Sequence, residues 1–178
     1  MKAMRQIARA LIAIAALATL LVALSSCGGG EDRVGEAIAT PAGIGRLHLG
    51  ASVASPRAAG LIGPLRKGCE LSGTGQMVAT LKPPLQGTAV FSTRAAGLST
   101  ITVSSGAETQ AGVHIGSSVS EARSAYPGAE YNRPEPREPI PIGFIWVGGE
   151  YHQRMTLIID PLTYRVIEID VPSANLCE

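Results

Sequence analysis

Six short stretches of the chain alternate apolar and polar residues with a period of two. The first three are QMVATL (76–81), TAVFST (88–93) and LSTITVS (98–104). The second three are IGFIWVG (142–148), RMTLIID (154–160) and YRVIEIDV (164–171). In the later set Met155, Leu157 and Ile159 alternate with Thr156, Ile158 and Asp160. Ile167, Ile169 and Val171 alternate with Val166, Glu168 and Asp170. Such alternation predicts antiparallel strands with one face turned to a core. The connections Arg94-Ala95-Ala96-Gly97 and Pro161-Leu162-Thr163 are of hairpin length.

The two sets share one frame. LHLGASVASPRAA (47–59) matches VHIGSSVSEARSA (113–125) at an offset of 66, with His48/His114, Gly50/Gly116, Ser52/Ser118, Val53/Val119, Arg57/Arg123 and Ala59/Ala125 identical. The same offset carries Ala79 and Leu81 onto Ile145 and Val147, Ala89 and Phe91 onto Met155 and Leu157, and Ile101 and Val103 onto Ile167 and Ile169. A tandem duplication is the simplest source of so long a register, with repeats at about 43–105 and 109–171.

Each repeat opens on a short extended segment ending in glycine, after which a serine opens a helix. Ser118-Val119-Ser120-Glu121 has the spacing of a capping box. Val119, Ala122 and Tyr126 make one apolar stripe, and Pro127-Gly128 stops the helix. In the first repeat Pro56 is tolerated only near a helix start, so Ser55 is expected as N-cap with Pro56 at N1. The fold expected is α+β: two halves, each a short helix packed on a three-stranded antiparallel meander, in a single domain over 43–178.

The N-terminus changes the setting. Lys2, Arg5 and Arg9 precede an uncharged run from Ala10 to Leu24, which closes on Leu24-Ser25-Ser26-Cys27. Basic leader, apolar run and small residues make the layout of a signal peptide over 1–26. The run is shorter than the ~20 residues a membrane-crossing helix needs. Leu-Ser-Ser-Cys resembles the lipobox of bacterial lipoproteins, which implies lipid attachment at Cys27 after cleavage. An ordinary signal peptide cut nearby would instead leave Cys27 as a spare thiol. Gly28-Gly29-Gly30 opens an expected tether over 27–42. With Gly28 rather than aspartate after Cys27, the resemblance implies the periplasmic side of the outer membrane if the host has two membranes.

Charge excludes one partner class. The chain holds 15 Lys+Arg and 14 Asp+Glu. Three of the basic residues lie in the leader, so residues 27–178 carry a slight acidic excess and no nucleic-acid footprint. Cys69 and Cys177 remain as an even pair in an oxidising compartment, and a disulfide between them is the simplest reading. A redox pair or two metal thiolates are the alternatives; the lack of Cys-x-x-Cys spacing speaks against both.

Catalytic signatures are missing from the sequence. There is no Gly-x-Ser-x-Gly elbow and no phosphate-binding glycine loop. Ser117 and Ser118 read as turn and cap residues, and Asp160 before Pro161 reads as a turn residue rather than half of a carboxylate pair with Asp170. His48 and His114, each between two aliphatic residues, are expected to face solvent; with His152 they could be imagined as a metal site, but nothing in their spacing makes them converge. The expectation is no catalytic residues, no metal and no cofactor. Partner contact has two candidate carriers. One is Trp146 with Phe144 and Tyr151, although Trp146 reads first as a core residue, large aromatics being few here. The other is the proline-charged stretch NRPEPREPIP (132–141) with Arg133 and Arg137, which reads first as a charged surface loop and second as a docking arm.

A helix opened by Gly-small-Ser-Val and followed by a β-meander, twice over, resembles the small outer-membrane assembly lipoproteins of the SmpA/OmlA type and the β-lactamase-inhibitor-protein fold. Gly112-Val113-His114-Ile115-Gly116-Ser117-Ser118 with Arg123-Ser124-Ala125-Tyr126-Pro127-Gly128-Ala129 is similar to a motif of bacterial exported proteins. The resemblance implies a non-catalytic protein-binding or assembly module, anchored to the envelope by lipid on Cys27. An envelope enzyme of unknown type and a structural spacer are the rival classes.

Overall fold

A computed structural model describes residues 37–68, 75–94, 97–135, 141–150 and 153–172. The leader, Cys27 and the tether up to residue 36 lie outside the described residues. So do Cys69, Arg137, Tyr151, His152 and Cys177.

Among the described residues the chain is mostly β. A four-stranded sheet holds β1 (Ala37–Thr40), β2 (Gly43–Ile44), β3 (Leu47–His48) and β8 (Ala107–Thr109), in the order β3-β2-β1-β8. An eight-stranded sheet holds β4 (Ile62–Lys67), β5 (Gln76–Leu81), β6 (Gln86–Ser92), β7 (Gly97–Ser105), β9 (Glu130–Asn132), β10 (Gly143–Gly148), β11 (Arg154–Ile159) and β12 (Val166–Val171). Its order is β4-β5-β6-β7-β12-β11-β10-β9. The two helices are α1 (Ala54–Ala58) and α2 (Val119–Ala125), of five and seven residues.

This corrects the α+β expectation. The helices are single short segments beside twelve strands, and no half stands as a separate helix on its own meander. Each meander has four strands, not three, and the two are fused into one sheet by antiparallel pairing of β7 with β12. The extra strands escaped the alternation rule for local reasons. Gly63 and Pro64 interrupt the period in β4, and β9 is only three residues long. Residues 37–42, expected in the tether, form β1 and a turn, with β1 pairing parallel to β8.

From α1 onward, every element of the first half has a counterpart 66 residues on: α1 with α2, β4 with β9, β5 with β10, β6 with β11, β7 with β12. Gly50 and Gly116 both adopt positive φ, 80° and 94°, where a side chain would be strained. Leu47 and Val113 just before them are buried. The helices differ as their sequences do. Ser118 accepts the Glu121 amide while Glu121 accepts the Ser118 amide, closing the capping box of α2. α1 instead starts at Ala54 behind Val53, with no side-chain cap, so Ser55 is not its N-cap. Pro56 stands third in that helix, where the amide it lacks would have no intrahelical partner. Gly60, at φ 71°, follows the helix end.

The core lies on one face of the large sheet. Ala79, Ala89, Ile101, Val103, Ile145, Met155, Leu157, Ile159, Ile169 and Val171 are sealed there. The small sheet adds Ala39, Ile44 and Leu47, and α2 adds Ala122. One predicted position moves: pairing steps from Ile158–Glu168 to Ile159–Val166, so Val166 takes the core place and Ile167 is 40% exposed. Both edges of the large sheet are blunted against further pairing, β4 by Pro64, Arg66 and Lys67, and β9 by its shortness and the prolines that follow.

Candidate binding face

Side chains alternate across a strand, so the residues between those core positions form a second face. Register places Thr88, Thr102, Asp170, Thr156, Trp146 and Glu130 in one row across β6, β7, β12, β11, β10 and β9. A parallel row runs Glu168, Ile158, Phe144, Asn132. The centre of this face is closed to solvent: Thr102 is 2% exposed, Thr156 0%, Asp170 1% and Ile158 5%. Val90 and Ile158 are buried yet stand apart from the main core cluster, as expected for side chains on the opposite side. The hydroxyls of Thr102 and Thr156 have no hydrogen-bond partner.

Toward the β10 end the face is half-exposed and aromatic. Phe144 and Trp146 stack with ring centroids 5.6 Å apart and planes 4° from parallel. The Arg154 guanidinium lies 5.1 Å from the Trp146 ring centroid. Arg154 pairs with Gly148, on the side of Trp146 away from Phe144, so the indole is held between a ring and a cation. Trp146 is therefore neither a member of the main core nor a loose surface group.

The structure brings Phe144 and Trp146 together and sets Arg133 apart from them. Arg133 follows β9, and its guanidinium lies 5.7 Å from the Tyr164 ring, donating to the Tyr164 hydroxyl at 3.5 Å. Tyr131, beside Ile145, packs toward the core side, with Arg123 of α2 over its ring at 5.3 Å. Burial raises the Tyr131 phenol above its ordinary pKa, against the opposing pull of Arg133 and Arg123. An open cleft of about 510 Å³ lies beside this corner, lined by Val119, Ser120, Arg123, Ser124, Tyr126, Pro127 and Ala129.

The remaining sequence candidates have structural employment. His48 and His114 are exposed, and a ring nitrogen of His114 lies 2.8 Å from the Ile115 carbonyl oxygen. Ser117 accepts the His114 amide. Asp160 accepts from the Leu162 and Thr163 amides and the Thr163 hydroxyl, which hold its carboxyl below the usual range. Asp170 lies toward the far end of β12 from that turn. Among the described residues no group of three His, Cys, Asp or Glu side chains is placed to hold a metal. Sequence reasoning overlooked Arg154, Thr102 and Thr156. The alternation sets Arg154 and Thr156 on one side of their strand, but only strand pairing brings them, and Thr102 beside Asp170, to the same face as Trp146.

No protein-family model, no curated protein and no solved structure matches this chain. Among the described residues, fold and site together define a mostly β chain whose large sheet has a second face with a solvent-closed polar centre and a half-exposed aromatic end.

Proposed function

We propose that the protein is a lipid-anchored envelope protein acting as a non-catalytic binding module for a protein partner. The reading joins the leader and Cys27, the resemblance to small envelope lipoproteins, and the half-exposed aromatic end of the large sheet's second face. The observation that carries it is the Phe144–Trp146–Arg154 column. Tryptophan, aromatic neighbours and arginine are the side chains that dominate protein interfaces. Here they are held in place before any partner arrives, which lowers the ordering cost of association. The blunted edges of the sheet favour contact through its face over strand addition.

Two measurements test the two halves of the reading. Cys27→Ser releases the protein from membranes on fractionation; retention of that variant overturns the anchor. A photo-crosslinking residue at position 144 captures one defined partner in intact cells, and the same residue at position 48 does not. Equal labelling from both positions, or no discrete adduct from 144, overturns the assignment of the face.

A further inference from the structure

The corner where α2 meets β9 lies on the other side of the sheet from the aromatic column. Two guanidiniums stand at this corner, each laid on a tyrosine ring: Arg123 on Tyr131 and Arg133 on Tyr164. Such contacts fix a cation's position without neutralising it. Among the described residues neither side chain is paired with a carboxylate. Of the nearby acids, Glu121 is tied into the capping box at the other end of α2. Glu130 belongs to the Trp146 row on the opposite face. Glu135 acts on Arg133 only through its field. Arg123 lines the open cleft, whose wall also offers the hydroxyls of Ser120 and Ser124.

We propose that this cleft is a docking groove for an acidic peptide segment of a protein partner, whose carboxylates are received by Arg123 in its wall and, just beyond its lining, by Arg133, which is laid on Tyr164, the residue whose carbonyl accepts the amide of cleft-lining Val119. A guanidinium presents a planar fork of N–H donors that matches a carboxylate in two parallel hydrogen bonds. Because each fork already rests on a tyrosine, less side-chain freedom is lost on binding than for a free arginine. The serine hydroxyls satisfy peptide groups along the wall. The groove is open and polar, which suits an extended chain carrying several charges better than one small anion.

The test uses the full-length lipidated protein in detergent and a fluorescein-labelled hexaglutamate peptide, with anisotropy read at low salt. Binding is saturable and weakens as salt rises. Arg123→Gln and Arg133→Gln each weaken it by about fivefold, the upper end for one exposed ion pair. Tyr131→Phe keeps the ring under Arg123 and retains wild-type affinity, whereas Tyr131→Leu leaves the charge but loses its seat and weakens binding. Arg66→Gln, on the distant edge strand β4, changes nothing. Unaltered emission from Trp146, the single tryptophan, shows that each variant is folded. The proposal is overturned by three results: no saturable binding to the wild type, equal loss from Arg66→Gln, or displacement of the peptide by inorganic phosphate at concentrations where acetate has no effect.

Discussion

Val103 and Ile169 are equivalent positions of the two halves, 66 residues apart, and they face each other across the pairing of β7 with β12. The approximate two-fold axis relating the halves therefore passes between them. Both are fully buried on the core face. The duplication thus joins its copies through a shared seam, where each half supplies the neighbour that the other's last strand needs.

That seam predicts cooperative unfolding. Ile169→Ala should cost about 2–5 kcal/mol, the range for large-to-small changes in a sealed core. It should lower the midpoint of one single transition, seen identically by far-ultraviolet circular dichroism and by Trp146 emission. Two separated transitions would show that the halves fold independently. On the opposite face, Thr156→Val should be neutral or stabilising, because its buried hydroxyl has no partner to lose.

The single tryptophan makes the aromatic column measurable. Arg154→Ala removes the cation from one side of the indole and opens that side to water. Emission should move to longer wavelength, and stability should fall by about 0.5–1 kcal/mol from the lost cation–π contact. Phe144→Leu should leave the Arg154 side covered and shift emission less. Identical spectra for wild type and Arg154→Ala would mean that the guanidinium does not cover the ring in solution.

Much of this architecture was legible because strand alternation is a local signal. β5, β6, β7, β10, β11 and β12 fall within one or two residues of the stretches that alternate. The capping box of α2 was equally local. What escaped were consequences of pairing. β4 and β9 exist because β5 and β10 offer them open edges, not because IGPLRK or EYN prefers to be extended. The exposure of Ile167 follows from a register step that involves β11. The α+β expectation weighed each half by itself, and so overlooked that two meanders joined at β7 and β12 make one sheet that outweighs its helices. For the candidate face, Trp146 and Phe144 were visible in sequence. The Arg154 contact and the buried threonines required knowing which residues lie opposite which.

Two carboxylates give a pH signature. Glu121 is held below its ordinary pKa, first by the Ser118 backbone N–H and then by the Ser118 hydroxyl. Asp160 is held down first by the Thr163 amide, then by the Thr163 hydroxyl. A carboxylate with a depressed folded pKa contributes stability that is complete above its unfolded value and is lost as pH falls through the folded one. Urea midpoints should therefore be flat near neutrality and decline once pH drops below about 4, the ordinary carboxylate range. In the double variant Glu121→Gln, Asp160→Asn the midpoint at neutral pH should be lower and the acid decline shallower. An acid decline as steep as the wild type's would assign the effect to other groups.

The ends of the strands bear on the two remaining cysteines. Lys67 is level with Met77, Phe91 and Leu98 across β4 to β7, and Val171 is level with Ile101. Lys67 and Val171 close their strands at the same end of the sheet. Four strand spacings separate β4 from β12, roughly 19 Å at about 4.8 Å each. Six residues after Val171 reach roughly 20 Å, and two after Lys67 add roughly 7 Å, so chain length permits Cys69 and Cys177 to meet. Thiol–disulfide exchange with an oxidised dithiol partner would form the bond, the two protons and two electrons passing to that partner. The loop so closed would span 108 residues, for which loop entropy gives ~4.7 kcal/mol. Intact mass after alkylation without reductant should show neither cysteine modified, and both modified after reduction. Cys69→Ser should lower the thermal midpoint by the same amount as Cys177→Ser and as the double variant. Alkylation of both thiols without reductant, or additive losses in the double variant, would leave the two cysteines unjoined.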